Sequence, residues 1–303
     1  MRFPKGSDLD GSAQPAYSKA GRSDPKGISG SILKTIKYSD HFSFPLTVSE
    51  IHERLISSKP CLRRQACSSE ILSKTLQTMV KNNQIGNSKQ YYFLPGKKSL
   101  VARRLNRFKS SSPQLLRART LSKKLSHTPF IKAIYLTGSL AMFNSESDSD
   151  IDFMIITKEG RLWTTRLILT LYTSLLGLRR TPGSLKNAGK LCLNLYLTPE
   201  SYSLPIHKQS LYTAYELIQA VPVYDPSDTR TALLAANPWI KNFLAGVPLH
   251  GKPMASPEHR KTGILEYLLF NLQYYYMKPK LTREYITINS AFFHPHDPSP
   301  QGL

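Results

Sequence analysis

The sequence predicts an α+β protein in which a mixed β-sheet is flanked by helices. A small helix–helix–hairpin segment precedes the sheet, and a helical region follows it. Three observations support this prediction. Two apolar, strand-like runs lie at residues 130–137 and 150–157 and are joined by a polar loop. Helix-periodic segments with turn signals come before them, and further helix-periodic segments come after them. With 303 residues, the chain has room for about two domains.

The chain is strongly basic, with 41 Lys and Arg against 20 Asp and Glu, a net charge of +21. This excess favours an anionic partner such as nucleic acid, nucleotide or anionic lipid, although a generally basic surface remains the alternative. Three cysteines without metal-type spacing and a start without an apolar signal segment predict a cytoplasmic protein. The longest apolar stretch, 167–178, is too short to span a bilayer, so no membrane partner is expected.

Composition and periodicity divide the chain into six segments. They are a disordered tail (1–37), the helix–helix–hairpin segment (38–96), a basic helical linker (97–128), a central α/β core (129–200), a helical C-terminal region (201–290) and a Pro-rich tail (291–303). The first tail is rich in Gly, Ser, Lys and Pro and lacks apolar periodicity. The linker carries ten Lys or Arg and is expected to break near residues 110–113. Its charge predicts either a solvated face or a phosphate-contacting surface.

The segment 38–96 opens with Thr47 and Glu50, which have the spacing of a capping box and predict a short helix. A second helix is predicted over 68–81, and a strand over 90–94. This order resembles a winged-helix domain with the 68–81 helix in the recognition position. The resemblance implies DNA binding, while many such domains only contact proteins or position substrates. The residues implied in DNA binding are Lys74, Gln77 and Lys81.

The pattern that carries chemistry lies in the central core. The first strand ends at Gly138-Ser139, and the second begins with Asp150-Ile151-Asp152. Alternate residues of a strand share a face, roughly 6.5–7 Å apart, so Asp150 and Asp152 project together. Two such carboxylates oppose joint ionisation unless a cation neutralises them, and oxygen ligands favour Mg²⁺. Gly138 permits a tight turn, and Ser139 offers a hydroxyl and nearby N–H groups to a phosphate.

The sequence resembles the DNA polymerase β superfamily of nucleotidyltransferases, especially its small bacterial members. The resemblance lies in Gly138-Ser139, followed after ten residues by Asp150-Ile151-Asp152 on an apolar strand. The resemblance implies a nucleotidyltransferase-type mixed sheet and transfer of a nucleoside monophosphate from an NTP, with ATP as the expected donor. It implies that Asp150 and Asp152 are catalytic and hold Mg²⁺ or Mn²⁺, and that Gly138 and Ser139 bind the nucleotide phosphates. The acceptor stays open between a protein hydroxyl, an RNA end and a small molecule.

Active members of that superfamily place a third carboxylate on a later strand. Here the inward polar position of the strand at 191–197 is Asn194, and Glu200 and Asp225 are the alternatives. Arg161 is predicted to bind triphosphate oxygens, with a surface arginine as the alternative. Because a third carboxylate is not identified, a second hypothesis stays open, a nucleic-acid-binding regulator whose transferase domain senses nucleotide or is degenerate. No pattern in the sequence predicts the oligomeric state.

Overall fold

The computed structural model describes residues 25–57, 69–180, 188–247 and 262–293. The strands are β1 (Gly86–Ser88), β2 (Tyr91–Phe93), β3 (Ile131–Leu136), β4 (Ile151–Thr157), β5 (Leu191–Leu197), β6 (Val221–Tyr224), β7 (Tyr285–Ile286) and β8 (Ser290–Phe292). The helices are α1 (Pro25–His41), α2 (Val48–Glu53), α3 (Ser69–Lys81), α4 (Ser99–Leu125), α5 (Gly138–Ala141), α6 (Leu162–Leu175), α7 (Leu211–Gln219), α8 (Thr229–Ala235) and α9 (Ile264–Met277). Within these described ranges, no helix is long and apolar enough to cross a bilayer.

The centre of the fold is a six-stranded sheet in the order β6-β3-β4-β5-β8-β7. Strands β4 and β5 run parallel, and the other neighbouring strands are antiparallel. Because strand side chains alternate, β4 sends Met154 and Ile156 into one core and Phe153 and Ile155 into the other. Residues of α7 and α8 join the first core, and residues of α4, α6 and α9 join the second. The predicted mixed sheet flanked by helices is confirmed.

The N-terminal segment packs α1, α2, α3 and the β1–β2 hairpin around one apolar core. The predicted capping box is present, since Thr47 Oγ1 accepts the Glu50 N–H at 3.3 Å and Glu50 Oε2 accepts the Thr47 N–H at 2.9 Å. The predicted helix over 68–81 is confirmed as α3, and Leu46 bridges Tyr92 next to the hairpin. Three helices followed by a hairpin is a winged-helix order, and membership of that class stays a prediction.

Two segment assignments need correction. The prediction of a disordered tail to residue 37 is wrong from residue 25, because α1 buries Ile28, Ile32 and Ile36 at four-residue spacing. The C-terminal region is not entirely helical, since it supplies β6 and β7 to the central sheet and, with the first residues of the predicted Pro-rich tail, β8. Strand β6 tolerates Pro222 because it lies at the edge of the sheet. Residues 1–24, and residues 294–303 of the predicted Pro-rich tail, lie outside the described residues.

The predicted break of the basic linker is also wrong, because α4 runs without interruption through Pro113. The serines that suggested a break instead bind the loop before β4. Ser110 Oγ donates to the Ser145 carbonyl at 2.9 Å, and Ser111 Oγ accepts the Ser145 N–H at 3.2 Å. These contacts help to offset the hydrogen bond that a helix loses at proline.

Part of the basic face of α4 forms ion pairs inside the protein. Arg104 pairs with Glu50 at 2.6 Å, and Arg107 pairs with Glu146. The helix therefore ties the N-terminal segment to the loop that leads into β4. These two arginines are therefore paired within the protein, and the exposed Lys and Arg of α4 outside its ion pairs form the basic surface that stays available.

Candidate functional site

The site begins where the end of β3 meets the start of β4. Because these strands are antiparallel, Leu136 pairs with Phe153, and the Thr137 N–H donates to the Asp152 carbonyl at 3.0 Å. Gly138 follows with a φ of +66°, a left-handed conformation that favours glycine. A Cβ at Gly138 would lie 2.5 Å from Asp152 Oδ2. The Asp152 carboxylate thus occupies the space that a side chain at Gly138 would need.

Asp150 lies immediately before β4 and faces the same site. Its Oδ2 accepts a hydrogen bond from Arg180 Nη1 at 2.6 Å. Asp150, Asp152 and Cys192 each offer one ligand atom, and these atoms lie within 4.8 Å of one another. The structure therefore brings the two predicted carboxylates together beside the Gly138–Ser139 turn. A guanidinium against Asp150 shows that this position stabilises positive charge.

Strand β5 supplies two further polar side chains. In the parallel pairing of β4 with β5, Asp152 lies opposite Cys192. The register then shifts, which leaves Asn194 as an extra residue in a bulge. Asn194 Nδ2 donates to Asp152 Oδ1 at 3.0 Å, while its buried Oδ1 has no hydrogen-bond partner among the residues that the structure describes. The sequence pointed to Asn194 and not to Cys192 as a site residue, although residues 192 and 194 alternate onto one face of a regular strand.

The thiol of Cys192 is held in its protonated form by its surroundings. Burial raises the pKa of Cys192, and the Asp152 and Asp150 carboxylates raise it further, to about 12. Negative charge on the sulfur is therefore disfavoured beside the two carboxylates, even though the Arg180 guanidinium pairs with Asp150. The site combines two carboxylates, a neutral thiol and an amide oxygen.

A cavity of about 200 Å³ opens beside Gly138 and Ser139. Its aromatic lining comes from α1, the following loop and α7, and consists of Tyr38, Phe42, Phe44, Tyr212 and Tyr215. Glu216 lines the same cavity and accepts a hydrogen bond from the Tyr212 hydroxyl at 2.9 Å. These α7 residues fall in the predicted helical C-terminal region, but their place at the site depends on how α7 packs on the sheet, which no local pattern specifies.

Three residues considered from the sequence lie elsewhere. Arg161 follows the far end of β4 and stacks on Phe130, with its Cζ 5.0 Å from the ring centroid, so the structure does not bring it to this site. Glu200 lies just beyond the C-terminal end of β5, which is also the far end. Asp225 accepts hydrogen bonds from Tyr135 and from the start of α8, which gives it a structural role. Neither Glu200 nor Asp225 therefore supplies a third carboxylate to the site.

Residues 119–186 match the family described as polymerase beta, nucleotidyltransferase. The match covers 68 of the 303 residues and includes the Gly138–Ser139 turn and both Asp150 and Asp152. No curated protein and no solved structure gives a significant match to the chain. The matched segment, together with the mixed sheet, supports a polymerase β-like nucleotidyltransferase assignment for this part of the chain.

Proposed function

We propose that the protein transfers a nucleoside monophosphate from an NTP, with ATP as the donor, to an acceptor and releases pyrophosphate. The observation that carries this proposal is the clustering of Asp150 and Asp152 beside the left-handed Gly138 turn, inside the segment that matches the nucleotidyltransferase family. The free thiol of Cys192 and the NTP donor favour the cytoplasm as the place of action.

The side chains at the site fit a divalent cation such as Mg²⁺ or Mn²⁺. The carboxylates of Asp150 and Asp152 supply charged oxygens, and the unpartnered Oδ1 of Asn194 supplies a neutral one. The Arg180 guanidinium already neutralises one of these carboxylates. A divalent cation bound by Asp150 and Asp152 would stabilise the negative charge that develops on the phosphate oxygens.

The turn and the cavity fit the two halves of an NTP. The absence of a side chain at Gly138 lets the Asp152 carboxylate lie against the backbone of the turn, so a cation held by Asp152 would face phosphate oxygens bound at the turn beside Ser139. We assign the nucleoside to the aromatic cavity, because aromatic side chains stack on any base, with about 1–3 kcal/mol per stacked base. Glu216 in that cavity is our candidate for the proton acceptor of the incoming hydroxyl, a role that an amide at position 194 cannot fill.

The test is transfer of a label from the α-phosphate of ATP into protein, RNA and small-molecule pools, with Mg²⁺ or Mn²⁺ present. Asp150→Asn should abolish transfer, because it removes a charge at the cluster with little change in shape. Asp148→Asn is the matched control, since Asp148 lies exposed in the same loop, outside the ligand cluster. Transfer that Asp150→Asn leaves intact would refute the proposal, and so would an absence of transfer from all four NTPs.

A second candidate function is nucleic-acid binding through the N-terminal segment. The observation that favours it is the exposed face of α3, where Lys74, Gln77 and Lys81 all reach the surface. Lys74 pairs with Glu70 at 2.6 Å, but that pair is largely exposed and easily exchanged for a phosphate. Binding of a DNA duplex that weakens with salt and with a Lys74→Ala, Lys81→Ala double change would support this function. DNA binding that is unchanged by added salt and by the double substitution would refute this function.

A further inference from the structure

The position of Cys192 at the carboxylate cluster has no counterpart in an all-oxygen magnesium site. The thiol lies opposite Asp152 in the parallel pairing of β4 and β5, and its sulfur is within 4.8 Å of one oxygen from each of Asp150 and Asp152. Mg²⁺ binds oxygen ligands and retains its waters, whereas thiolate ligands select softer metals such as Zn²⁺.

A second observation points to a cation at the same place. Asn194 donates its amide N–H to Asp152, and this fixes its Oδ1 as an acceptor that is buried without a partner in the described part of the chain. Asn194 is 3% exposed, so water does not readily satisfy this oxygen. Because this oxygen belongs to the amide that contacts Asp152, it can join the two carboxylates and the thiol in a mixed set of oxygen and sulfur donors.

We propose that Cys192 is a protein ligand of the metal site, so that the site binds Co²⁺ and Zn²⁺ more tightly than Mg²⁺. The inference rests on the proposed function only in locating the site, and it names which metals that site accepts. On binding, the thiol S–H bond ionises, the proton leaves to solvent, and the sulfur electron pair is shared with the metal. No oxidation or reduction is involved.

The experiment uses Co²⁺, because a cobalt–thiolate bond gives a charge-transfer absorption band in the near ultraviolet that oxygen ligands do not give. The full-length chain is prepared metal-free with Cys61→Ser and Cys67→Ser, so that Cys192 is the single remaining thiol. Titration with Co²⁺ should raise the band to saturation at one ion per chain. Zn²⁺ should abolish the band when added in slight excess, whereas Mg²⁺ should need at least about a hundredfold excess over Co²⁺.

Two variants of Cys192 complete the test. Cys192→Ser should abolish the band and weaken Co²⁺ binding by about tenfold or more. Cys192→Asp should also abolish the band, but it should shift the preference toward Mg²⁺ because the site then has oxygen donors throughout. Co²⁺ binding without the band in the Cys192-only protein would overturn the proposal. A band that persists in Cys192→Ser would do the same, and so would a failure of Co²⁺ to bind.

The spectroscopic result is independent of nucleotide transfer. A saturable cobalt–thiolate band together with no transfer from any NTP would support the metal site and refute the transferase proposal. Transfer that Mg²⁺ supports as well as Mn²⁺ does, together with no band, would support the transferase and refute the thiolate ligand.

Discussion

Replacing Gly138 with alanine tests whether the turn after β3 and the Asp152 carboxylate form one unit. Gly138 has a φ of +66°, and an added Cβ would lie 2.5 Å from Asp152 Oδ2. Carbon and oxygen cannot approach so closely, so the carboxylate must move. Such a movement breaks the 3.0 Å hydrogen bond from Asn194 Nδ2 and displaces a ligand atom of the cluster.

The expected loss of stability has two parts. A non-glycine residue in the left-handed region costs about 1–2 kcal/mol. Loss of a hydrogen bond to a charged group costs roughly 1.5–3 kcal/mol more, and partial exposure of Asp152 places it near the lower end. Gly138→Ala should therefore lower the free energy of unfolding by about 3 kcal/mol.

Gly96→Ala separates the two parts of this loss. Gly96 has a φ of +81°, and an added Cβ there meets no atom within 4 Å, so this variant should show only the backbone cost of about 1–2 kcal/mol. Urea denaturation gives both free energies, and titration with Mn²⁺ shows whether the carboxylate has moved. Only Gly138→Ala should weaken metal binding. Equal stability losses with equal metal affinities in the two variants would refute the coupling of the turn to Asp152.

Three further predictions concern other contacts of the fold. Glu266→Ala leaves the Trp163 N–H at the start of α6 without its buried acceptor. Urea denaturation should therefore show a free energy of unfolding lower by about 2–4 kcal/mol, and a negligible change would contradict this role of Glu266. Burial alone would raise the pKa of Glu50, but the hydrogen bond and charge of Arg104 outweigh burial and lower it. The contribution of Glu50 to the free energy of unfolding is therefore complete above its unfolded-state pKa and is lost as the pH falls through its folded-state pKa. Between roughly pH 5 and pH 3, the melting temperature should therefore fall more in wild type than in Glu50→Gln. Arg180→Gln removes the guanidinium that competes with a metal ion for Asp150. An exposed ion pair contributes at most about 1 kcal/mol, so Mn²⁺ titration should show binding up to about fivefold tighter. Weaker Mn²⁺ binding would mean that Arg180 supports the site.

Local patterns in the sequence predict strands β3, β4 and β5 of the central sheet and the meeting of β3 with β4. Alternating burial in β4 places Asp152 on the face opposite Phe153, and Gly138 marks the turn next to it. These features depend on residues close together in the chain. The capping box at Thr47 is of the same kind, since the helix start and its cap lie within four residues.

Long-range contacts explain what the sequence did not reveal. Strand β6 joins the sheet edge beside β3 from about 90 residues away, and no local pattern distinguishes it from a loop containing proline. That Cys192 and Asn194 both meet Asp152 depends on the register of β4 with β5 and on the bulge at Asn194, which appear only when the two strands are paired. Arg161 was assigned to the site by its type and its nearness to the strand in sequence, whereas the direction of β4 takes it to the opposite end.

Residues of the N-terminal segment line the cavity of the candidate site. Tyr38 and Phe42 of α1 and its following turn line the cavity beside Ser139, and Asn144 of the turn after α5 donates to the Phe42 carbonyl at 3.1 Å. Arg107 in α4 holds the same asparagine through its Oδ1 at 3.1 Å. Because these contacts join the N-terminal segment to the loop that leads to Asp150, movement of that segment would change the cavity and the carboxylate cluster together. If α3 binds a nucleic acid, these contacts are the route by which that binding would act on nucleotide binding, and competition between a DNA duplex and nucleotide would measure the coupling.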